Sequence, residues 1–343
     1  MTPYENDILL ATQANLPWGL LEGRSILVAG ATGLIGSCLV DVLMEAIKTH
    51  NLHTTVYAMG RDKKKGLVRF ASYLSLDNFH FLRHDVTQPL EGDLHFDYII
   101  HAASSASPQL YSEKPVEVMK ANFIGVSNLI EYGIHHHMRR FLFISSGEVY
   151  GQQQAEWLDE NHYGYVDLLN SRSCYPSSKR AAETLAACYA AEYNADIVIA
   201  RPCHTFGPHF QASDQRAYAQ FIRNAEAGQG ILLKSDGSQY RSWCYVVDCA
   251  VAILFVLLKG EKGKAYNVAD RNCESSLRHL AETIARLCRV PLSVGAPDAT
   301  AGQRVVFDTS LIEGLGWKTE GTLDDKLSHS LETRLIERNE KKD

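Results

Sequence analysis

Apolar residues in this chain come in short runs separated by amphipathic stretches. The run Ser25-Ile-Leu-Val-Ala-Gly30 has the length of a strand, and it passes directly through Gly30-Ala31-Thr32-Gly33-Leu34-Ile35-Gly36 into an amphipathic segment that reaches about residue 49. Apolar residues at consecutive positions fit a strand buried on both faces. The same alternation predicts strands at Thr54–Met59, His80–Val86, Asp97–Ala103, Phe141–Ile144 and Ile197–Arg201, with helices over 115–135 and onward from about Tyr175. Strands alternating with helices predict an α/β fold built on a doubly wound parallel sheet, whose ligands bind beyond the carboxyl ends of the strands. Asp85 and Val86 then fall at the ligand rim after the third strand, and Ala102, Ala103 and Ser104 after the fourth.

Past Arg201 the pattern changes. Residues 202–239 mix Gly-Pro, loops and one helix, 246–270 read as a return to the sheet, and 271–343 hold helices joined by irregular segments. The expected organisation is an N-terminal extension (1–23), a Rossmann dinucleotide-binding domain (24–201 with 246–270) and a smaller, discontinuous α/β domain (202–245 with 271–343). The last would close over the nicotinamide end of the cofactor.

Composition narrows the class. With 45% hydrophobic and 22% charged residues among 343, the chain reads as a soluble globular protein. No apolar run reaches the ~18 residues that a bilayer span needs, so no membrane association is expected. Glu5 and Asp7 stand where a secretory signal would be basic. A net charge of −6 argues against a nucleic-acid partner. Eight cysteines without a Cys-x-x-Cys pair suit reduced thiols in a cytoplasm. His135-His136-His137 invites a metal, but adjacent helical residues point in different directions, so a solvated helix end and no metal site are expected.

Candidate chemistry sits on the strand ends. In a strand–glycine turn–helix unit, one glycine makes the tight turn, one admits a pyrophosphate, and one lets helix and strand pack, while the helix N-terminus supplies positive potential. Gly30, Gly33 and Gly36 have that spacing. After the second strand stand Gly60, Arg61 and Asp62: Asp62 suits the ribose hydroxyls of NAD, whereas Arg61 leaves NADP open. The stretch Ser173-Cys174-Tyr175-Pro176-Ser177-Ser178-Lys179 sets a phenol and an ammonium four residues apart, on one helical face. Pro176 is expected at the first helical position, with Tyr175 extended before it and its phenol presented to the ligand. The small residues Ala181, Ala182, Ala186, Ala187, Ala190 and Ala191 predict close helix approach, and with the 115–135 helix a homodimer.

Together these motifs resemble the extended short-chain dehydrogenase/reductases that act as nucleotide-sugar epimerases, dehydratases and decarboxylases. The resemblance rests on the glycine turn, Ser146, Tyr175 with Lys179, and Arg201-Pro-Cys-His-Thr-Phe-Gly207-Pro208. It extends through Gly237-Ser-Gln-Tyr-Arg241-Ser-Trp-Cys-Tyr-Val-Val-Asp248 and Arg304…Asp308…Leu315-Gly316-Trp317, covering about residues 24–318. It implies that Thr32, Leu34, Ile35 and Pro202 join the other strand-end residues around NAD, that Lys179 also holds the nicotinamide ribose, and that Ser146 orients the reacting hydroxyl. Tyr175 would act as a phenolate. Bringing a phenol of pKa ≈ 10 to neutrality takes roughly 4 kcal/mol, about what a lysine charge at ~4 Å supplies in an effective dielectric of ~20, and the cationic nicotinamide would add to it. The substrate would be a nucleotide-diphosphate sugar, its diphosphate held by Arg216, Arg241 and Arg304, with Ser105, Asn122, Gly147 and His204 nearby.

The fate of the oxidised sugar turns on Ser146-Gly147-Glu148. Dehydratases of this family carry an Asp-Glu pair after the serine or threonine, since loss of water needs both an acid and a base. Here the acid position is Gly147, which resembles the UDP-glucuronate decarboxylases, as do Ser105-Ala106-Ser107-Pro108 and Cys174-Tyr175. A 4-keto uronic acid is a β-keto acid and loses carbon dioxide without such an acid, leaving Glu148 to manage protons at C5. His204 departs from the family's usual Asn. A 4,6-dehydratase, a 4-epimerase and a dinucleotide-sensing regulator are the competing readings.

Overall fold

Seven strands form one all-parallel sheet: β1 (Ser25–Ala29), β2 (Thr55–Gly60), β3 (Phe79–Arg83), β4 (Tyr98–His101), β5 (Arg140–Ile144), β6 (Ile197–Pro202) and β7 (Ala265–Val268). Their spatial order is β3-β2-β1-β4-β5-β6-β7. The order reverses between β1 and β4, which opens a crevice above their carboxyl ends. This is the expected doubly wound α/β fold, seen in a computed structural model that describes residues 1–104, 106–299 and 301–340.

Eleven helices among the described residues surround the strands: α1 (Pro3–Ala11), α2 (Leu34–Thr49), α3 (Lys63–Arg69), α4 (Pro108–Glu113), α5 (Pro115–His135), α6 (Cys174–Glu192), α7 (Ala217–Glu226), α8 (Val246–Lys259), α9 (Leu277–Cys288), α10 (Ser310–Gly314) and α11 (Leu323–Glu340). The continuous apolar runs follow from strand alternation between two cores. Ile26 and Val28 of β1 face the core built with α2 and α8, whereas Leu27 and Ala29 face the one built with α5 and α6. The N-terminal extension is part of the first core. Thr2 and Glu5 form a capping box on α1, and Tyr4 donates to Asp41 Oδ2 at 2.6 Å.

A second sheet runs Asp270–Ser276, Tyr240–Tyr245, Arg304–Phe307, Trp157–Leu158, with His204–Phe206 also paired to Tyr240–Tyr245. The strand Trp157–Leu158 lies in the segment that sequence assigns to the dinucleotide-binding part, yet it pairs with Val306 and Phe307. Two residues of exposed Trp and buried Leu carry no period that would reveal this. At the end of α5, His136 stacks on Tyr132 at 4.1 Å and His137 turns away with φ 56°. Among the described residues, no three His, Cys, Asp or Glu side chains are grouped to hold a metal ion.

A buried ion cluster fastens the C-terminal helix. Lys326 of α11 pairs with Asp248 of α8 at 2.8 Å and with the wholly buried Asp270. Thr319 donates to Asp270 at 2.6 Å as well. Removing the lysine would leave two carboxylates in a dry interior. Lys326→Met is therefore expected to lower the unfolding free energy by about 3–5 kcal/mol in urea denaturation. A loss below about 1 kcal/mol, the worth of a surface pair, would contradict this role.

Candidate active site

The glycine turn is shaped by close approach. Gly30 has φ 81°, and a Cβ there would lie 2.5 Å from Ala103 Cα, so the turn after β1 passes directly under the segment after β4. A Cβ on Gly36 would lie 2.4 Å from the Gly30 carbonyl oxygen, so α2 starts hard against that turn. Gly33 caps α2 without a side-chain hydrogen bond, and no acidic residue occupies its first turn. The α2 amides are thus unspent and their potential positive.

From this turn a cavity of about 1040 Å³ runs along the carboxyl edge of the sheet. Its lining includes Gly30, Thr32, Gly33, Leu34, Ile35 and Gly36, then Arg61, Asp62, Asp85 and Val86 on the β2–β3 side. Ala102, Ala103 and Ser104 follow β4, and Lys179 and Pro202 lie on the far side. All the residues expected around a dinucleotide therefore share one space, and the cradle of missing Cβ atoms and free amides fits its pyrophosphate. Asp62 is partly committed: its Oδ1 accepts the Lys65 amide at 3.0 Å as the cap of α3. Asp85 Oδ1 accepts the Thr87 amide at 3.0 Å, and this bond with the Arg61 charge outweighs burial and holds its carboxyl below the ordinary range.

At the other end stand Ser146, Tyr175 and Lys179. β5 delivers Ser145 and Ser146, and Ser146 Oγ accepts the Glu148 amide at 3.2 Å at the start of a 3₁₀ turn over Gly147–Tyr150. α6 begins at Cys174, not at Pro176. Tyr175 is thus helical instead of extended, with Pro176 in the third helical position. Amides throughout the first turn have no intrahelical acceptor, so proline fits there equally well. Nor is the phenol ring freely presented. Tyr175 is 6% exposed, because Tyr111 of α4 stacks on it at 4.8 Å with 17° between planes. Lys179 is buried too, donating to the Ile144 carbonyl at 2.7 Å, with its ammonium 5.7 Å from the Tyr175 ring centre.

Burial works against both charged forms in the protein alone. Desolvation, then the Glu148 charge, push the Tyr175 phenol up to about 12 against a hydrogen bond with Ser146. Desolvation brings Lys179 down to about 7. A shared dry pocket penalises both charged forms, so without ligand the pair leans towards neutral phenol and neutral amine. The lysine charge does not by itself make a phenolate.

The substrate-side residues separate. Gly147, His204, Arg216 and Arg241 line the cavity with Glu148. Arg241 Nη1 lies 3.4 Å from His204 Nε2, and desolvation by the cavity walls, then the Arg241 and Arg216 charges, push the exposed imidazole below its ordinary value. Arg216 is already occupied: it pairs with Asp214 at 2.6 Å and donates to the Thr205 carbonyl at 3.2 Å. Arg304 is outside the cavity lining. Val305 and Phe307 of its strand face the cavity, so alternation sends Arg304 to the other side, where it lies 4.2 Å from the Tyr240 ring and 3.4 Å from Glu274. Asn122 is also off the lining: wholly buried, it donates to Ser178 Oγ at 2.9 Å and braces α6 beneath Tyr175. Ser105 lies outside the described residues.

Three contacts around Glu148 are invisible to motif spacing alone. Arg172 lies 3.5 Å from Glu148 Oε2 and 4.5 Å over the Tyr111 ring, behind which Tyr175 stacks. Its place three residues before Tyr175 was the available signal. Phe307 closes on Gly147, where a Cβ would meet the ring at 2.1 Å. Tyr111 has no motif. Burial raises the Glu148 carboxyl, while Arg172 and Arg241 pull it back.

Comparison with known proteins places this architecture. The model of the NAD dependent epimerase/dehydratase family matches residues 26–269. UDP-glucuronic acid decarboxylase 5 of Arabidopsis thaliana is 34% identical over 306 residues, 88% of this chain and 86% of that protein. Two solved structures share the fold. One is a dTDP-glucose 4,6-dehydratase from Streptomyces venezuelae with NAD and TYD bound, with TM-score 0.80, 22% identity, and coverage of 92% of this chain and 98% of that one. The other is UDP-glucose 4-epimerase from Thermotoga maritima with UDP-glucose, with TM-score 0.77, 21% identity, and coverage of 92% and 99%.

The buried lysine sets a stability profile that can be measured. Because Lys179 titrates lower folded than unfolded, the unfolded chain binds the extra proton between about 7 and the ordinary lysine value of about 10.4, so this group's penalty grows as pH falls through that window. Lys179→Met removes the penalty. The unliganded variant is expected to be more stable than the parent, most of all below about pH 7, with the difference shrinking as pH rises to about 10. Thermal melts across that range test it, and a pH-independent difference would overturn it.

Proposed function

We propose a reaction for this chain from one premise: it belongs to the NAD dependent epimerase/dehydratase family and is an NAD-dependent enzyme that modifies nucleotide sugars. The reaction is decarboxylation of a nucleotide-linked uronic acid, with UDP-glucuronate the first candidate, through a 4-keto sugar. The contact between Gly147 and Phe307 carries this reading. With a Cβ at 147 meeting the ring at 2.1 Å, no acid can stand beside Glu148 unless Phe307 moves. Elimination of water needs that second group, whereas a β-keto acid loses carbon dioxide without it. The relatives named as UDP-glucuronic acid decarboxylases support the same choice.

The roles follow from the geometry. Gly30 to Gly36, Ser104 and Lys179 would hold NAD, which supplies a hydride acceptor and later a donor when bound. Tyr175 takes the proton of the sugar C4 hydroxyl, with Ser146 orienting that hydroxyl and Lys179 balancing the phenolate charge. Arg241, with no carboxylate at salt-bridge distance among the described residues, meets the anionic part of the substrate, and Arg172 adds a second cation beside Glu148. Once the C5–carboxylate bond breaks, its electron pair is left on the C4–C5 enolate and carbon dioxide departs. Glu148, whose carboxyl burial raises, then delivers a proton to C5. Tyr175 returns the first proton to the C4 oxygen.

Incubation with NAD and UDP-glucuronate is expected to give a product lighter by carbon dioxide in mass spectrometry. Glu148→Gln is expected to slow this by about 10²–10⁴-fold, the range of general acid–base catalysis, with cofactor still bound. Loss of water from a nucleotide hexose would mean a dehydratase, a change without mass difference an epimerase, and bound cofactor without turnover of any nucleotide sugar a sensor; each would overturn the proposal.

The chain is further proposed to act as a cytoplasmic homodimer. All eight cysteines are free thiols, which supports a reducing compartment, and no described helix is long and apolar enough to cross a membrane. The outer face of α5 exposes Val116, Met119 and Phe123, and beside it α6 presents the exposed Ala187 and Ala191, small enough for close helix approach. Sedimentation velocity at micromolar concentration is expected to show a dimer, which Phe123→Glu dissociates. A monomeric parent would sink the dimer.

A further inference from the structure

We infer that Arg201 and Glu183 are positioning residues for Lys179: the pair fixes the turn of α6 behind the lysine and keeps a carboxylate charge within reach of its amine. Glu183 follows Lys179 by four residues on α6, so the two side chains leave one face of the helix one turn apart. Arg201 stands on β6 just before Pro202, which lines the cavity, but is itself buried and off the lining. Its Nε donates to Glu183 Oε1 at 3.0 Å and its Nη2 to Oε2 at 2.6 Å, the paired geometry that a planar guanidinium gives a carboxylate.

The other N–H groups of Arg201 are spent as well. Nη1 donates to the Glu160 carbonyl at 2.7 Å and to the Tyr150 hydroxyl at 3.2 Å, and Nη2 to the Tyr163 hydroxyl at 3.4 Å. Tyr150 closes the 3₁₀ turn that carries Gly147 and Glu148, so one guanidinium joins α6, β6 and that turn. Few groups face the Lys179 amine. From β4 comes His101, wholly buried and held neutral by desolvation and the lysine charge. From β5 come the Phe143 ring at 4.6 Å and the Ile144 carbonyl, and from its own helix the Tyr175 phenol. Among the described residues, Glu183 is the carboxylate whose charge opposes the desolvation of the amine. Arg201 holds it ionised and in one place. Neutral phenol with neutral amine, and phenolate with ammonium, contain the same number of protons, so a fixed negative charge on the amine's side biases the pair towards the second, reactive form.

The role rests on oxidation of a sugar hydroxyl at Tyr175, not on decarboxylation, and its first readout needs no sugar. In cofactor-stripped protein isotopically labelled at the lysine Cε, the Lys179 resonance is the one that Lys179→Met lacks. Its titration midpoint in the parent is expected near 7. Glu183→Gln combined with Arg201→Gln strands neither charge and is expected to lower that midpoint by about half a pH unit or more. Glu183→Gln alone, where the arginine charge remains, should lower it further, whereas Arg201→Lys keeps both charges and should leave it near the parent's. With UDP-glucuronate, the acid limb of kcat in the double variant is expected to move down with the midpoint and the plateau to fall by about threefold or more, with KM changed less. An unchanged midpoint in a folded Glu183→Gln variant, single or double, overturns the role. So does a parent midpoint near the ordinary lysine value of about 10.4, or a loss of kcat with the acid limb unmoved. A parent that leaves UDP-glucuronate unchanged refutes the decarboxylation reading, and the resonance then decides this one.

Discussion

Lys179 is an amine held where water cannot compensate its charged form, and the packing of the active site is arranged around that cost. Its bond to the Ile144 carbonyl ties α6 to the end of β5, while Asn122 braces the same helix from α5 through Ser178. Tyr175 is fixed by these contacts and by Tyr111, so phenol and ammonium share one dry volume. Such a pair resists charging until an anion and a cation of a ligand enter together.

The second sheet supplies the part of the site that the first cannot. Its strands present His204, Arg241 and Phe307 across the cavity from Tyr175. His204 shares this space with two guanidiniums, whose charges add to desolvation in lowering its affinity for a proton. Arg216 lines the cavity too, but its charge is largely answered by Asp214, so the less compensated positive potential on the lining lies with Arg241.

Legibility in the sequence follows the range of the interaction. The glycine turn and the Tyr175–Lys179 pair are local, and a turn or one helical step fixes their geometry, so the order of residues along the chain places them correctly. Strand alternation is local as well, yet the face of Arg304 depended on knowing which side of its short strand meets the cavity, and that is a tertiary fact. The burial of Asn122 beneath α6, off the cavity lining, is a tertiary fact of the same kind on a helix. Phe307 against Gly147, and Tyr111 against Tyr175, join segments far apart in the chain and leave no periodic trace. The start of α6 was misplaced because proline suits every position of a first turn, not the first alone.

The fate of the keto sugar is decided by volume as much as by functional groups. Glycine at 147 is not merely a missing acid: the Phe307 ring occupies the space that an acid would need. Restoring a carboxylate there would have to displace an aromatic ring 7% exposed that packs with Val149, Tyr150 and Leu158 in the core beneath the second sheet. The ring also sets apolar volume one residue away from Glu148, whose carboxyl desolvation raises while Arg172 and Arg241 lower it. One aromatic residue from the second sheet thus fills the space beside Glu148 in which a second acid would have to stand.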